Sequence, residues 1–391
     1  MTPDPLTSLR DVDPLDSRLV VRAGITGAAE RPGGAGGIRP ALTDPHTRTL
    51  ILVPLGLVFG PSGMALLSAP ALAFLEPLVS VALTVLGTLL GMAAEIRRPG
   101  AGRFGMAAVE GVWTAMLVYG GVAALYAVWG TPVGVAWALP ALLGVCAAAS
   151  FAPATSPGER HAGPVPTIGD FNSMLAVATG ALVLGLARQA TTRDAALTLG
   201  GLGLIALAIA GAGGLLVGTS SSDRERHTFI AGTLLLLGGS AAYLGSSALF
   251  VGLLAGVLWG QVGGAAGERI ARDVQYVQHP LVVLLLVVAG ARLVVTSEAL
   301  VLALVYLCCR TAGKLSAGLW VARRAEARPA PVSGRPSALT APGVVGMAIA
   351  IDVLQSDATG GHGSLLLAAV VLATLAIDAA HATARRFEGR A

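Results

Sequence analysis

Charged residues are scarce in this chain, and lysine is almost absent. Asp, Glu, Lys and Arg make up 12% of the 391 residues, about half the share found in soluble globular proteins. Lys314 is the only lysine, and the other basic residues are arginine. The mean hydropathy is +0.74. So few charges on so apolar a chain predict a polytopic membrane protein and exclude an ordinary soluble domain.

Cysteine is also rare, which argues against a zinc-binding protein and against a disulfide-stabilised one. Cys146, Cys308 and Cys309 lie inside apolar runs, without zinc-site spacing or a disulfide framework. The sequence shows no nucleotide-binding loop, catalytic triad or metal cluster, so we expect neither an enzyme nor a cofactor. The net charge is +4. The basic residues are sorted by membrane side, which favours membrane topology over a nucleic-acid partner.

Twelve apolar segments follow a polar N-terminus. Residues 1–47 scatter Pro, Gly, Asp and Arg without a helical period and predict a disordered cytoplasmic tail. We predict a transmembrane domain over 48–384 and a short cytoplasmic tail over 385–391. The predicted spans are 49–68, 72–96, 104–128, 132–153, 168–187, 196–217, 228–243, 247–262, 277–294, 298–322, 337–355 and 363–382. The expected fold is all-α, with inverted repeats and two discontinuous crossing helices.

The arginines favour this count of spans and an orientation. With the N-terminus inside, 21 arginines fall in inner segments, three fall in outer loops and Arg310 lies within a span. Positive residues concentrate on the cytoplasmic side of membrane proteins, and one missed span would spoil the bias. We therefore expect a multi-pass protein of the cytoplasmic membrane with both termini in the cytoplasm.

The segment around Lys314 is the most unusual in the chain. The run 297–324 is long enough to span a bilayer, yet it carries Arg310 and Lys314 one helical turn apart, on one face. A cation in mid-span costs roughly 2.5–3.5 kcal/mol on insertion scales, which favours a functional role with a buried partner. The alternative is that these side chains reach the interface or neutralise a structural acid.

Two proline breaks mark corresponding positions in the two halves. Pro153 and Pro157 bracket Thr155 and Ser156, and a Pro-Gly pair at 342–343 interrupts the eleventh span. Paired interruptions point to the central site of a transporter, where freed carbonyls and hydroxyls can coordinate a cation. The alternative for the first break is that the helix ends there and a cytoplasmic loop follows.

Asp170 and Ser173 share a face at the start of the fifth span, and Asn172 lies beside them. Burial would favour a neutral Asp170 that carries a proton. The alternative is a carboxylate that only stabilises the helix N-terminus. Asp352, near the outer end of the eleventh span, is the other acid that we consider as a partner for Lys314.

Seven short motifs, in order over about 50–385, resemble one family. They are LGLVFGPSGMALL, LLGMAAEIRR, AAASFAPATSP, SSALFVGLLAG, HPLVVLLLVVAGARL, RTAGKL and LTAPGVVGMAIAI. The chain is similar to monovalent cation:proton antiporters of the sodium/proton exchanger superfamily, in its bacterial second branch. The family starts with one more helix and an external N-terminus. Losing that helix would leave twelve spans and an internal N-terminus.

One departure concerns the ion-binding motif itself. The family carries Asn-Asp or Asp-Asp where this chain has Asn172 and Ser173, so the motif is degenerate. The resemblance implies antiport of Na⁺ or K⁺ against H⁺ by alternating access in a lipid bilayer, with a homodimer as the usual assembly. It implies that Thr155, Ser156, Asn172, Ser173 and Lys314 lie at the ion site. We expect Asp170, one turn from Ser173, to supply the missing carboxylate, with Arg310 and Asp352 in support. The alternative is the same fold without coupled antiport, as a channel-like, regulatory or structural membrane protein.

Overall fold

The computed structural model describes residues 45–93, 101–130, 137–150, 168–189, 191–262, 264–326, 344–356, 359 and 361–388. Twelve helices are formed within these residues. They are α1 Pro45–Phe59, α2 Ala69–Ala93, α3 Ala101–Val128, α4 Ala138–Ala148, α5 Ile168–Arg188, α6 Thr192–Thr219, α7 Asp223–Tyr243, α8 Ala248–Val262, α9 Gly264–Ala291, α10 Ser297–Glu326, α11 Val344–Ser356 and α12 Gly363–Glu388.

Each helix coincides with one predicted span, so the prediction of an all-α polytopic membrane protein is confirmed. Within the described residues, seven helices are long and apolar enough to cross a bilayer and four apolar helices are shorter. α1 begins at Pro45 and α12 continues to Glu388, a few residues beyond the predicted domain boundaries on each side. α9 begins at Gly264 and includes the polar run that precedes the predicted ninth span. That run is therefore the first part of α9.

The closest helix packing joins α2 to α8 through glycine. Side chains added at Gly252 and Gly256 would overlap the carbonyls of Thr84 and Thr88, because the two backbones touch there. The threonine hydroxyls bond back to carbonyls of their own helix, at 2.9 Å for Thr84 and 2.8 Å for Thr88. Small residues at this interface let the backbones approach without unsatisfied polar groups in lipid.

The helices form two groups. α3, α4, α5, α10, α11 and α12 pack chiefly against one another, and α1, α2, α6, α7, α8 and α9 form the second group. α11 contacts members of both groups. The two groups also touch directly where α1 meets α12 and where α5 meets α6. The contact between α4 and α11 is close, since a side chain added at Gly346 would begin 3.0 Å from the carbonyl of Cys146. The breaks predicted at 153–157 and 342–343 lie outside the described residues, directly after α4 and before α11.

Candidate functional site

A buried ion pair joins α10 to α3. Lys314 Nζ lies 2.6 Å from Glu110 Oε1, and both side chains are 0% exposed. The position of each residue along its helix brings the two side chains together. Glu110 lies on α3, which packs against α4, α5 and α10. Lys314 lies one turn beyond Arg310 on α10. A buried pair of this kind avoids the cost of a single buried charge.

Lys314 also binds the end of α4. Its ammonium donates to the carbonyl of Ala148 at 2.8 Å and to the hydroxyl of Ser150 at 2.6 Å. Together with the ion pair to Glu110, these bonds place three oxygen atoms around the ammonium group. The lysine is thus held by one carboxylate, one carbonyl and one hydroxyl, in a site closed to solvent.

Arg310 of α10 also donates hydrogen bonds to the end of α4. Its guanidinium donates to the carbonyls of Ala147 at 2.6 Å, Ala149 at 3.1 Å and Cys146 at 3.2 Å. The last carbonyls of a helix lack partners within the helix and carry partial negative charge. Two cations from α10 therefore supply the donors that α4 lacks where it ends inside the bundle.

Asn172 and Ser173 of α5 lie at the same site. The backbone N–H of Ser150 donates to Ser173 Oγ at 3.1 Å. Asn172 is 1% exposed, and a side chain at Gly111 would begin 3.2 Å from its Oδ1, so it lies against α3 beside Glu110. Within the described residues, neither the amide of Asn172 nor Glu110 Oε2 has a hydrogen-bond partner. Buried polar atoms without partners mark a place that a ligand or water can occupy.

Three of the predicted site residues are not seen at this site. Asp170 belongs to the first turn of α5, but its side chain lies outside the described part of the structure. Thr155 and Ser156 lie outside the described residues altogether. Their assignment to the ion site stays a prediction.

Asp352 takes a different position from the one considered for it. Its Oδ1 accepts the backbone N–H of Ala248 at 3.0 Å, and the side chain is buried. Ala248 is the first residue of α8, so Asp352 binds the positive end of that helix. Lys314, by contrast, contacts Glu110 and the end of α4. The partner of Lys314 seen in the structure is therefore Glu110, and Asp352 serves as the tertiary cap of α8.

Glu110 is a site residue that the sequence motifs did not predict. The available signal was an acid in the middle of a predicted span, since MAAVEGVWTAML is otherwise apolar or small. An acid in such a run is costly to bury, as Lys314 is, and the cost favours a functional role for it. Counting every acid within the spans would have placed Glu110 among the partners considered for the lysine.

The site combines the chemistry that a small cation requires. A carboxylate, the amide oxygen of Asn172 and the hydroxyls of Ser150 and Ser173 are hard oxygen donors, the ligand type preferred by Na⁺ and K⁺ as well as by other hard cations. Lys314 already occupies the position of a cation beside the carboxylate. A metal ion and the ammonium group would therefore compete for one oxygen.

No family model matches the sequence, and no curated protein matches it. Among solved structures, the chain is similar to the sodium proton antiporter MjNhaP1 from Methanocaldococcus jannaschii at pH 8. The TM-score is 0.54, the identity is 15%, and the match covers 84% of this chain and 91% of that chain. A match over most of both chains at such low identity identifies the architecture. The chain therefore has the fold of this sodium proton antiporter.

Proposed function

We propose that the chain exchanges a monovalent cation, Na⁺ or K⁺, for H⁺ across the cytoplasmic membrane by alternating access. The observation that supports this most strongly is the fully buried Glu110–Lys314 pair, with oxygen atoms of Glu110 and Asn172 left without partners beside it. The fold is shared with a sodium proton antiporter, which also supports a role of the pair in transport. Both termini are proposed to face the cytoplasm, on the arginine distribution.

In the proposed cycle the cation replaces the ammonium charge at Glu110. When the cation enters, the Glu110 carboxylate transfers from the ammonium to the metal ion, and Lys314 releases one proton to the same side. When the cation leaves on the other side, Lys314 takes up one proton and pairs with Glu110 again. The summed charge of Glu110, Lys314 and the cation is zero in both states, which avoids a large desolvation cost.

The other predicted residues have roles that follow from their positions. Asn172 and Ser173 supply further oxygen ligands, and Arg310 holds the end of α4 so that Ser150 stays beside Lys314. Asp170, one turn before Ser173, is proposed as a second carboxylate, and Thr155 and Ser156 as further ligands from the segment after α4. The protein acts on Na⁺ or K⁺ and H⁺ as substrates, without a cofactor or enzymatic reaction, and a homodimer in the bilayer is proposed as its assembly.

The test is proton movement in proteoliposomes that contain the purified protein and an internal pH dye. We expect Na⁺ or K⁺ to dissipate an imposed pH gradient in wild type, and Glu110→Gln and Lys314→Met to lose at least nine-tenths of that rate. Asp194→Asn is the control, because this exposed acid lies in the first turn of α6, where its carboxylate accepts the hydroxyl of Thr191, away from the pair.

Two outcomes would count against the proposal. Antiport is refuted if wild type dissipates no gradient with Na⁺, K⁺ or Li⁺, and this result would favour the same fold without coupled antiport. Full activity in Glu110→Gln would refute the assignment of the carboxylate. The double variant Glu110→Gln/Lys314→Met separates transport from folding, since it leaves no unpaired charge and should be folded but inactive.

A further inference from the structure

Asp352 joins the two helix groups at a buried contact. It lies on α11 and is 4% exposed. Its carboxylate accepts the N–H of Ala248 at 3.0 Å. Ala248 and Leu249 open α8 of the second group, where N–H groups lack partners within the helix. A negative side chain at this end of a helix is favoured by both hydrogen bonding and the helix dipole.

Gln355 makes a second contact between the groups, one turn further along α11. Its Nε2 donates to the carbonyl of Glu76 on α2 at 3.3 Å, and its Oε1 accepts from Ser80 at 3.4 Å. Glu76 in turn pairs with Arg292, at 2.7 Å. Polar contacts thus run from α11 to α8, to α2 and to the residue that follows α9.

A cavity of about 350 Å³ opens beside these contacts. Its lining includes Pro61, Leu72, Glu76, Arg292, Leu354 and Ser364. These residues come from α2, α11 and α12 and from the connections after α1 and α9, which the twelve-span topology places on the outer side. The contacts of Asp352 and Gln355 lie at the inner margin of this cavity, since Gln355 follows Leu354 and bonds to Glu76.

We propose that Asp352 and Gln355 form a latch that holds the two helix groups together on the outer side and closes the outer cavity off from the interior. Relative movement of the groups has to remove the carboxylate of Asp352 from the N-terminus of α8. That leaves a buried charge without its donors unless water enters. The latch therefore stays closed until the cavity deepens and water reaches Asp352.

This inference rests on the proposed function only where it links the latch to transport. The closed latch itself can be tested without any transport measurement. Asp352→Asn keeps the shape and one acceptor oxygen but removes the charge, and hydrogen bonds to a charged acceptor are about twice as strong as neutral ones. The variant is expected to open more often.

The first measurement is the labelling rate of Thr84→Cys by a membrane-impermeant maleimide in nanodiscs, with Cys146, Cys308 and Cys309 replaced by alanine. Thr84 is fully buried, and its hydroxyl lies 3.3 Å from the carbonyl of Ala248, directly under the latch. We expect Asp352→Asn to raise the labelling rate at least threefold, Gln355→Leu to raise it less, and the Asp194→Asn control to leave it unchanged. An equal rate in Asp352→Asn and in the parent protein would overturn the latch.

The second measurement is a reversible lock that keeps the latch closed. A disulfide between Ala248→Cys and Asp352→Cys, formed by oxidation, is expected to suppress Thr84→Cys labelling, and reduction is expected to restore it. If the oxidised protein labels as fast as the reduced one, the latch does not control access. In an active protein the lock should also stop cation-driven proton movement. Suppressed labelling without wild-type transport would support the latch and refute antiport.

Discussion

The Glu110–Lys314 pair makes a quantitative prediction about stability. Removing one member of a buried ion pair leaves the other charge unpaired, which costs about 3–5 kcal/mol. Both side chains are 0% exposed and 2.6 Å apart, so Glu110→Gln is expected to lower the free energy of unfolding by an amount in this range. Removing both charges should recover much of the loss, because no unpaired charge remains.

Lys314→Met is expected to be the more harmful single change. The ammonium also donates to the carbonyl of Ala148 and to Ser150. A buried acceptor left without a donor costs about 1–3 kcal/mol. The double variant should therefore remain less stable than wild type by about this amount, while its loss is at least about 2 kcal/mol smaller than the sum of the single losses.

The measurement is equilibrium unfolding in mixed micelles at increasing mole fraction of SDS, followed by helicity. Asp194→Asn again serves as the control, since an exposed acid in the first turn of a helix contributes only about 0.3–1 kcal/mol. The reasoning is refuted if either single variant is within about 1 kcal/mol of wild type, or if the two losses add within about 0.5 kcal/mol. In that case the two charges are not coupled in the folded protein.

Three further predictions concern other parts of the chain. Arg310→Leu leaves three carbonyls at the end of α4 without donors, so it should reduce stability by more than Arg310→Lys does, by about 1–3 kcal/mol in the same SDS titration. Gly252→Leu should prevent folding, because it drives a side chain into α2, whereas Gly200→Leu faces open space and should be tolerated in a solubilised-yield assay. Reporter fusions at residue 30 and after Arg390 should both report the cytoplasm; an external signal from either contradicts the twelve-span orientation.

Much of the fold could be predicted from the sequence because the bilayer is a simple solvent. Each backbone group must be satisfied within its own helix, so apolar length alone marks the spans. For this reason each of the twelve predicted segments overlaps one of the twelve helices formed by the described residues. The lone lysine in mid-span was equally visible, because a buried cation is costly wherever the helix lies.

Only the tertiary structure decided which acid meets Lys314. Sequence proximity to Ser173 and the broken eleventh span point to Asp170 and Asp352. Within the described residues, the carboxylate beside the ammonium comes from α3, about 200 residues away along the chain. Asp352 is likewise committed to the N-terminus of α8, a contact across 104 residues. The sequence by itself determined that a buried cation needs a partner, because that cost is local. Which partner it finds depends on how helices pack, and helical periodicity places a residue on a face without specifying the helix opposite.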